Sequence, residues 1–137
     1  MARQNVKGGV MDPLALLKRR AGQTAEDAAA RELKRQGCEI IARNARNKLG
    51  ELDLIVREGE YIAFVEVRSR REGAPVAPRE TITAAKQQRL RRLAESYLRE
   101  RKWVGHRWRI DVVEVTTDAA GKAGAITWLK AAVGGGR

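Results

Sequence analysis

The stretch that decides the fold is "GELDLIVREGEYIAFVEVRSR", residues 50–70, which reads as two alternating strands joined by a tight turn. If Glu58-Gly59 is the two-residue turn, Arg57 pairs with Glu60, and paired residues point to the same face of the sheet. The first face is then apolar throughout: Leu52, Leu54, Val56, Tyr61, Ala63, Val65 and Val67. The second face is apolar near the turn and charged at its far end: Glu51, Asp53, Ile55, Ile62, Phe64, Glu66 and Arg68.

The charged end of the second face indicates a functional site. A solvated face would not hold Ile55, Ile62 and Phe64 together, so we expect both faces of the hairpin to be covered. Asp53 and Glu66 then lie at the rim of a covered face, where carboxylates are costly unless they are paired or bind a cation. Two converging carboxylates are hard ligands of the kind that Mg²⁺ prefers.

The rest of the chain predicts an α/β protein with a central mixed β-sheet flanked by helices, in the order α-β-β-β-α-β with a short last strand. The first helix begins at Thr24 and stops at Gly37. The other predicted elements are strands at 38–42, 107–115 and 125–129, a helix at 82–101 and a mobile basic loop at 70–80. We predict a flexible basic segment over 1–21, a single domain over 22–130 and a flexible tail over 131–137.

The charge of the chain points to a polyanion partner. Among 137 residues, 28 are Lys or Arg and 17 are Asp or Glu, which leaves a formal net charge of +11. Nucleic acid is the first choice, and DNA in particular. A membrane is the weaker choice, because no apolar run approaches the ~18 residues that span a bilayer. Cys38 is the one cysteine, so no intrachain disulfide forms, and we predict a cytoplasmic protein.

Glu26 is a candidate third ligand, because it shares a helical face with Ala29 and Leu33. Each candidate also has a structural explanation. Glu26 is equally an acidic residue favoured in the first turn of a helix. Asp53 and Glu66 are also candidates for structural salt bridges with Arg57, Arg68 or Arg109. We expect Asp111 to be the ion-pair partner of Arg109.

Three segments together resemble one bacterial family. "GQTAEDAAARELKRQGCEIIARNARNKLGELDLIVREGEYIAFVEVRSR" (22–70), "KQQRLRRLAESYL" (86–98) and "RWRIDVVEV" (107–115) are similar to the YraN-like family. Glu26, Asp53 and the run Glu66-Val67-Arg68 resemble the PD-(D/E)xK nuclease signature. The resemblance implies a restriction-endonuclease-like fold and endonucleases related to Holliday-junction resolvases.

The resemblance also implies roles for single residues. Asp53 and Glu66 would bind Mg²⁺, or alternatively Mn²⁺, and Glu26 would bind the metal directly or through water. Arg68 stands where the signature has lysine, and because arginine stays charged it cannot act as a general base. The implied catalytic set is therefore Glu26, Asp53, Glu66 and Arg68. The cations and amide expected to contact nucleic acid are Arg43, Arg46, Lys48, Arg70, Arg71, Lys86 and Gln87.

Three functions remain open from the sequence. The first is a metal-dependent endonuclease that acts on branched or flapped DNA, for which a homodimer would present two sites to a four-way junction. The second is a non-catalytic nucleic-acid-binding protein on the same fold. The third is a basic adaptor that binds a protein or ribosomal RNA.

Overall fold

The computed structural model describes residues 12–74 and 82–134 and confirms the predicted order of elements. The elements are α1 (Pro13–Arg35), β1 (Glu39–Asn47), β2 (Gly50–Glu58), β3 (Tyr61–Arg71), α2 (Ala84–Glu100), β4 (Arg107–Thr117) and β5 (Ala123–Val133). The strands form a mixed sheet in the order β1-β2-β3-β4-β5, in which β3 and β4 are parallel and the other neighbours antiparallel. Within the described ranges, no helix is both long and apolar enough to cross a membrane.

The start of α1 differs from the prediction. The helix begins at Pro13 rather than at Thr24, because Asp12 caps it by accepting a hydrogen bond from the Ala15 N–H and because proline suits the first helical position. Its end is as predicted. Gly37 has φ of +98°, and the N–H of Cys38 reaches back to the carbonyl of Leu33, as in a Schellman motif. Residues 1–11 of the predicted flexible segment lie outside the described residues.

The turn of the β2–β3 hairpin lies one residue later than predicted. Glu58 pairs with Tyr61, so Gly59 and Glu60 form the turn. Gly59 has φ of +58°, which a two-residue type II′ turn requires at its first central position. Moving the turn by one residue shifts the pairing by two, so the side chains keep their faces, since strand side chains alternate with a period of two.

Each face of the sheet is covered by one helix, as predicted. The face toward α1 carries Leu54, Val56, Ala63, Val65, Val113 and Val115, which pack on Ala25, Ala28, Ala29 and Leu33. The face toward α2 carries Leu52, Ile55, Ile62, Phe64 and Ile110, which pack on Leu90, Leu93, Ala94 and Tyr97. Leu52 is a correction to the predicted faces. It packs on the α2 side although Leu54 faces α1, so the alternation of β2 breaks at Asp53.

Several strands extend further than their hydrophobic patterns predicted, because pairing with a neighbour continues past the apolar run. β1 reaches Asn47, which pairs with Gly50. β4 ends at Thr117, and β5 covers Ala123–Val133 instead of 125–129. Part of the predicted tail therefore belongs to the sheet, and residues 135–137 lie outside the described residues, as do residues 75–80 of the predicted basic loop.

A buried polar network joins β4 to β5 near the start of β4. The Asp111 side chain is fully buried and accepts hydrogen bonds from Arg109 Nε (3.0 Å), Trp128 Nε1 (2.9 Å) and the Ala131 N–H (2.9 Å). Arg109 also donates to Glu58 at 2.6 Å. The expected ion pair of Asp111 with Arg109 is confirmed, and it anchors the irregular end of β5.

Candidate active site

Asp53 lies where the regular ladders of β2 are interrupted. Leu54 pairs with Arg43 and Leu52 with Ala45, so Asp53 faces Asn44 across β1 and β2. Asn44 has φ of +51°, a left-handed conformation that asparagine tolerates better than most residues. On the other side, the described β2–β3 ladder ends at the pair Leu54–Val65. The carboxylate of Asp53 instead accepts a hydrogen bond from the Val67 N–H at 2.7 Å.

The surroundings of Asp53 disfavour its charged form. Burial and, to a smaller extent, the charges of Glu66 and Glu26 together raise the pKa of Asp53 to about 7, against the opposing effect of the Val67 N–H. Burial also raises the pKa of Glu26, whose side chain is hydrogen bonded to Asp53. A cation bound beside this pair would favour the charged forms of both carboxyl groups and offset the shift.

Glu66 forms an ion pair with a lysine side chain. Its Oε2 atom lies 2.7 Å from Nζ of Lys86, which belongs to the first turn of α2. The Glu66 side chain is 15% exposed and that of Lys86 37% exposed. Thr83 caps this helix end by accepting a hydrogen bond from the Lys86 N–H at 3.1 Å. The ion pair therefore links the end of β3 to the start of α2.

Arg68 lies beside the carboxylates and pairs with an acidic residue that the sequence patterns did not single out. Parallel pairing of β3 with β4 places Arg68 next to Glu114, and the nearest charged atoms of the two side chains are 3.9 Å apart. Both side chains are half-buried. The charge at the signature's lysine position is therefore partly balanced within the protein.

The structure brings Glu26, Asp53 and Glu66 close enough for their charges to interact at Asp53. The predicted sharing of one face by Asp53 and Glu66 does not follow from the hairpin pattern, because the alternation of β2 breaks at Asp53. The three carboxyl groups do not pack tightly against one another. Within residues 12–74 and 82–134, no three His, Cys, Asp or Glu side chains form a cluster tight enough to hold a metal ion by themselves. Mg²⁺ is commonly bound by one or two carboxylates together with waters and substrate phosphates. The oxygen donors of Asp53 and Glu66 fit that kind of site.

Two of the three arginines considered as structural partners of Asp53 and Glu66 pair with other acidic residues. Arg57 pairs with Glu39 at 3.9 Å. Arg109 pairs with Glu58 and Asp111. Arg57 and Arg109 therefore have acidic partners other than Asp53 and Glu66.

The residues expected to contact nucleic acid fall into two groups. Lys86 and Gln87 have contacts within the protein, since Lys86 pairs with Glu66 and the Gln87 amide donates to the carbonyl of Ile82 at 2.9 Å. Others lie at or near the surface around β1 and the end of β3. Arg43 pairs with Asp27, Arg46 lies 3.6 Å from Glu51, and Lys48 and Arg71 are exposed, while Arg70 is half-buried.

Two residues of the site were missed at the level of sequence. Asn44 lies beside Glu26 and faces Asp53, and its only local signal is that asparagine suits a left-handed backbone. Glu114 is next to Arg68 only through the parallel register of β3 and β4, which carries no local signal.

Comparison with known proteins identifies the family to which this chain is similar. A family model described as uncharacterised protein family UPF0102 matches residues 25–115. A UPF0102 protein of Chloroflexus aurantiacus is 52% identical over 100 residues, which cover 72% of this chain and 81% of the relative. One from Pelotomaculum thermopropionicum is 45% identical over 101 residues, covering 74% and 84%. One from Moorella thermoacetica is 40% identical over 119 residues, covering 87% and 99%.

A solved structure, that of Pyrococcus furiosus SfsA in complex with Ca²⁺, overlaps 82% of this chain and 63% of that protein. The identity is 20% and the TM-score 0.38, so the overlap carries no argument about function. The extent of the family match and the identities of the relatives decide membership. The chain belongs to the UPF0102 family, the YraN-like family that its motifs resemble.

Proposed function

We propose that this protein is a metal-dependent DNA endonuclease with a restriction-endonuclease-like fold, which hydrolyses phosphodiester bonds in branched or flapped DNA. The observation that carries the proposal is the half-buried carboxylate of Asp53, whose pKa is raised to about 7 beside Glu26 and Glu66. A protein that only binds phosphates gains nothing from negative charge in its binding surface. In a chain with a net charge of +11, this cluster supports a reaction that uses a bound cation.

The charge and the position of each residue suggest a separate role for it in the reaction. Asp53 and Glu66 would hold Mg²⁺ or Mn²⁺, and Glu26 would hold Asp53 in place through the hydrogen bond between them. The chemistry supplied by such a metal, when bound, is a more acidic water ligand and neutralisation of phosphate charge. Arg68 would bind a phosphate oxygen as a permanent cation, because its guanidinium does not release a proton near neutral pH.

The direct test uses the purified protein and four DNA forms of identical sequence: single strand, duplex, flap and four-way junction. Each is incubated with Mg²⁺, Mn²⁺ or EDTA, and the products are separated on a denaturing gel. We expect metal-dependent cleavage, strongest on the branched forms, and none in EDTA. Absence of cleavage of all four forms with both metals would refute the nuclease proposal.

A non-catalytic nucleic-acid-binding protein on the same fold is the second candidate. The pairing of Arg68 with Glu114 favours it, because a cation held by a neighbouring carboxylate is less available to a reacting phosphate. Binding of branched DNA without cleavage in the same assay would support this candidate.

Substitution of Arg68 tests its role as a phosphate-directed cation. Arg68→Ala should lower the single-turnover cleavage rate by about 100-fold, since one preorganised cation or donor at a reacting centre contributes roughly that much. Arg68→Lys should keep or raise the rate, because it retains the charge at the lysine position of the signature. A rate for Arg68→Ala equal to that of the wild type would remove Arg68 from the site.

DNA binding should be largely electrostatic. With EDTA present to prevent cleavage, the affinity should fall with salt, with a log–log slope of about −0.9 per phosphate neutralised. Lys48→Ala should make the slope shallower by about 0.9, the contribution of one phosphate contact. Lys48 is a suitable choice because it is exposed on the β1–β2 turn. Arg35→Ala is the matched control, since Arg35 is hydrogen bonded to Glu32 at the far end of α1. Salt-independent binding, or none at low salt, would point to a protein partner instead.

A further inference from the structure

Lys86, which the sequence predicted to contact nucleic acid, lies against a carboxylate of the candidate site. It comes from α2, yet its Nζ atom lies 2.7 Å from Oε2 of Glu66 at the end of β3. The backbone at Lys86 is held by the Thr83 cap. The side chain is 37% exposed, so its flexible stem has room to move while the helix start stays in place.

The ion pair has a clear physical cause. The Glu66 side chain is 15% exposed, and a carboxylate at that depth requires a counter-charge. In the absence of a metal, the ammonium group of Lys86 supplies it. A divalent cation bound to Glu66 would need the space and the oxygen lone pairs beside Oε2. The metal and the ammonium group therefore compete for the same carboxylate.

Displacement of Lys86 would leave a cation next to the metal and the phosphate. Arg68 already faces Glu114, with 3.9 Å between their charged atoms, so part of its charge is balanced. Lys86 has its counter-charge in Glu66, the group that a metal would take over. Once a metal has displaced the ammonium group of Lys86 from Glu66, the nearest new anionic partner would be a phosphate oxygen of bound DNA.

We propose that Lys86 is the exchangeable counterion of Glu66, which neutralises this carboxylate in the metal-free protein and contacts the scissile phosphate when a divalent cation replaces it. The phosphate contact rests on the proposed nuclease function. The competition between Lys86 and a metal does not, because it concerns the protein without DNA.

The test measures two quantities on the full chain, which should change in opposite directions. Lys86→Met removes the charge and keeps most of the length of the side chain. Without DNA, calorimetric titration with Mn²⁺ should show about tenfold tighter binding, because the metal no longer displaces a charge-assisted partner. With DNA, single-turnover cleavage should be about 100-fold slower, because a phosphate-directed cation is lost. A merely structural residue would not tighten metal binding while slowing cleavage.

Two further variants make the result specific. Lys86→Arg keeps the charge and should bind Mn²⁺ about as weakly as the wild type. Arg92→Met removes one positive charge from an exposed position on the same helix and should change neither quantity. Thermal denaturation of each variant without metal establishes that the fold is intact.

The outcomes separate this inference from the nuclease proposal. If the wild type cleaves DNA and Lys86→Met binds Mn²⁺ no more tightly, or cleaves as fast as the wild type, the role of Lys86 is overturned and the nuclease stands. If the wild type cleaves nothing but Lys86→Met binds Mn²⁺ more tightly, the counterion role stands and the phosphate contact is overturned. If neither protein binds Mn²⁺, the counterion role is overturned.

Discussion

Asp53→Asn should abolish DNA cleavage and at the same time stabilise the metal-free protein at pH 8. Cleavage should fall by at least about 1000-fold, because the variant loses a charged metal ligand at the reacting centre. DNA binding in EDTA should stay the same or tighten, since a negative charge facing the phosphates has been removed. The measurements are single-turnover cleavage, DNA affinity and the free energy of unfolding in urea.

The gain in stability follows from the raised pKa. The Asp53 carboxyl has an ordinary pKa of 3.8, and in the folded protein its pKa is about 7 because of burial and the nearby charges of Glu66 and Glu26. The folded state therefore binds this proton more tightly than the unfolded state. The associated stability is fully present below pH 3.8 and is lost as the pH rises through about 7.

Asparagine imitates the protonated carboxyl at every pH, and its side-chain oxygen can still accept the Val67 N–H. The unfolding free energy of the variant should therefore exceed that of the wild type by on the order of 2–4 kcal/mol at pH 8 and by only about 0.5 kcal/mol near pH 4. Glu60→Gln is the matched control. It neutralises an exposed carboxylate in the hairpin turn, and it should show no such dependence on pH.

Added metal should reverse the order of stability. At pH 8, Mg²⁺ or Mn²⁺ should raise the unfolding free energy of the wild type but not that of Asp53→Asn, because a ligand stabilises only the state that binds it. If Asp53→Asn is instead destabilised at pH 8 without metal, Asp53 belongs to a stabilising structural network, and the metal site would have to be abandoned.

The second large effect is expected at Asp111, a buried residue with no role in the proposed chemistry. Asp111→Ala should cost about 3–5 kcal/mol of unfolding free energy, because it leaves the charge of buried Arg109 partly unbalanced. It also leaves the N–H groups of Trp128 and Ala131 without their acceptor. Such a loss is a large fraction of the stability of an ordinary domain. Urea unfolding monitored by tryptophan fluorescence measures it.

Two milder variants keep this test informative if Asp111→Ala does not fold. Trp128→Phe removes one of the hydrogen bonds to Asp111 and should cost about 1 kcal/mol. Asp118→Ala removes an exposed carboxylate that accepts two backbone N–H groups in the β4–β5 turn, and it should also cost about 1 kcal/mol. Asp111→Ala within 1 kcal/mol of the wild type would mean that the network contributes little.

The sequence by itself determined the order of elements and the two covered faces of the hairpin. Period-two alternation is a local property, so Ile55 and Phe64 were assigned to one face and Val56 and Val65 to the other even though the turn was placed one residue early. Alternation also predicted Asp53 and Glu66 on one face at the rim of the sheet, but the alternation of β2 breaks at Asp53. The end of α1 was predicted correctly from Gly37. Its start was predicted too late, because the helix is capped by Asp12 and begins at Pro13.

Only the tertiary structure decided how the site is arranged. The contact of Lys86 with Glu66 joins a helix to a strand, and the contact of Arg68 with Glu114 depends on the register of two parallel strands separated by α2. The break in alternation at Asp53, opposite Asn44, turns Leu52 toward α2, and the alternating sequence of β2 did not predict it. A sequence pattern records which face a side chain occupies. Which charge lies next to it is decided by packing between segments that are distant in the chain.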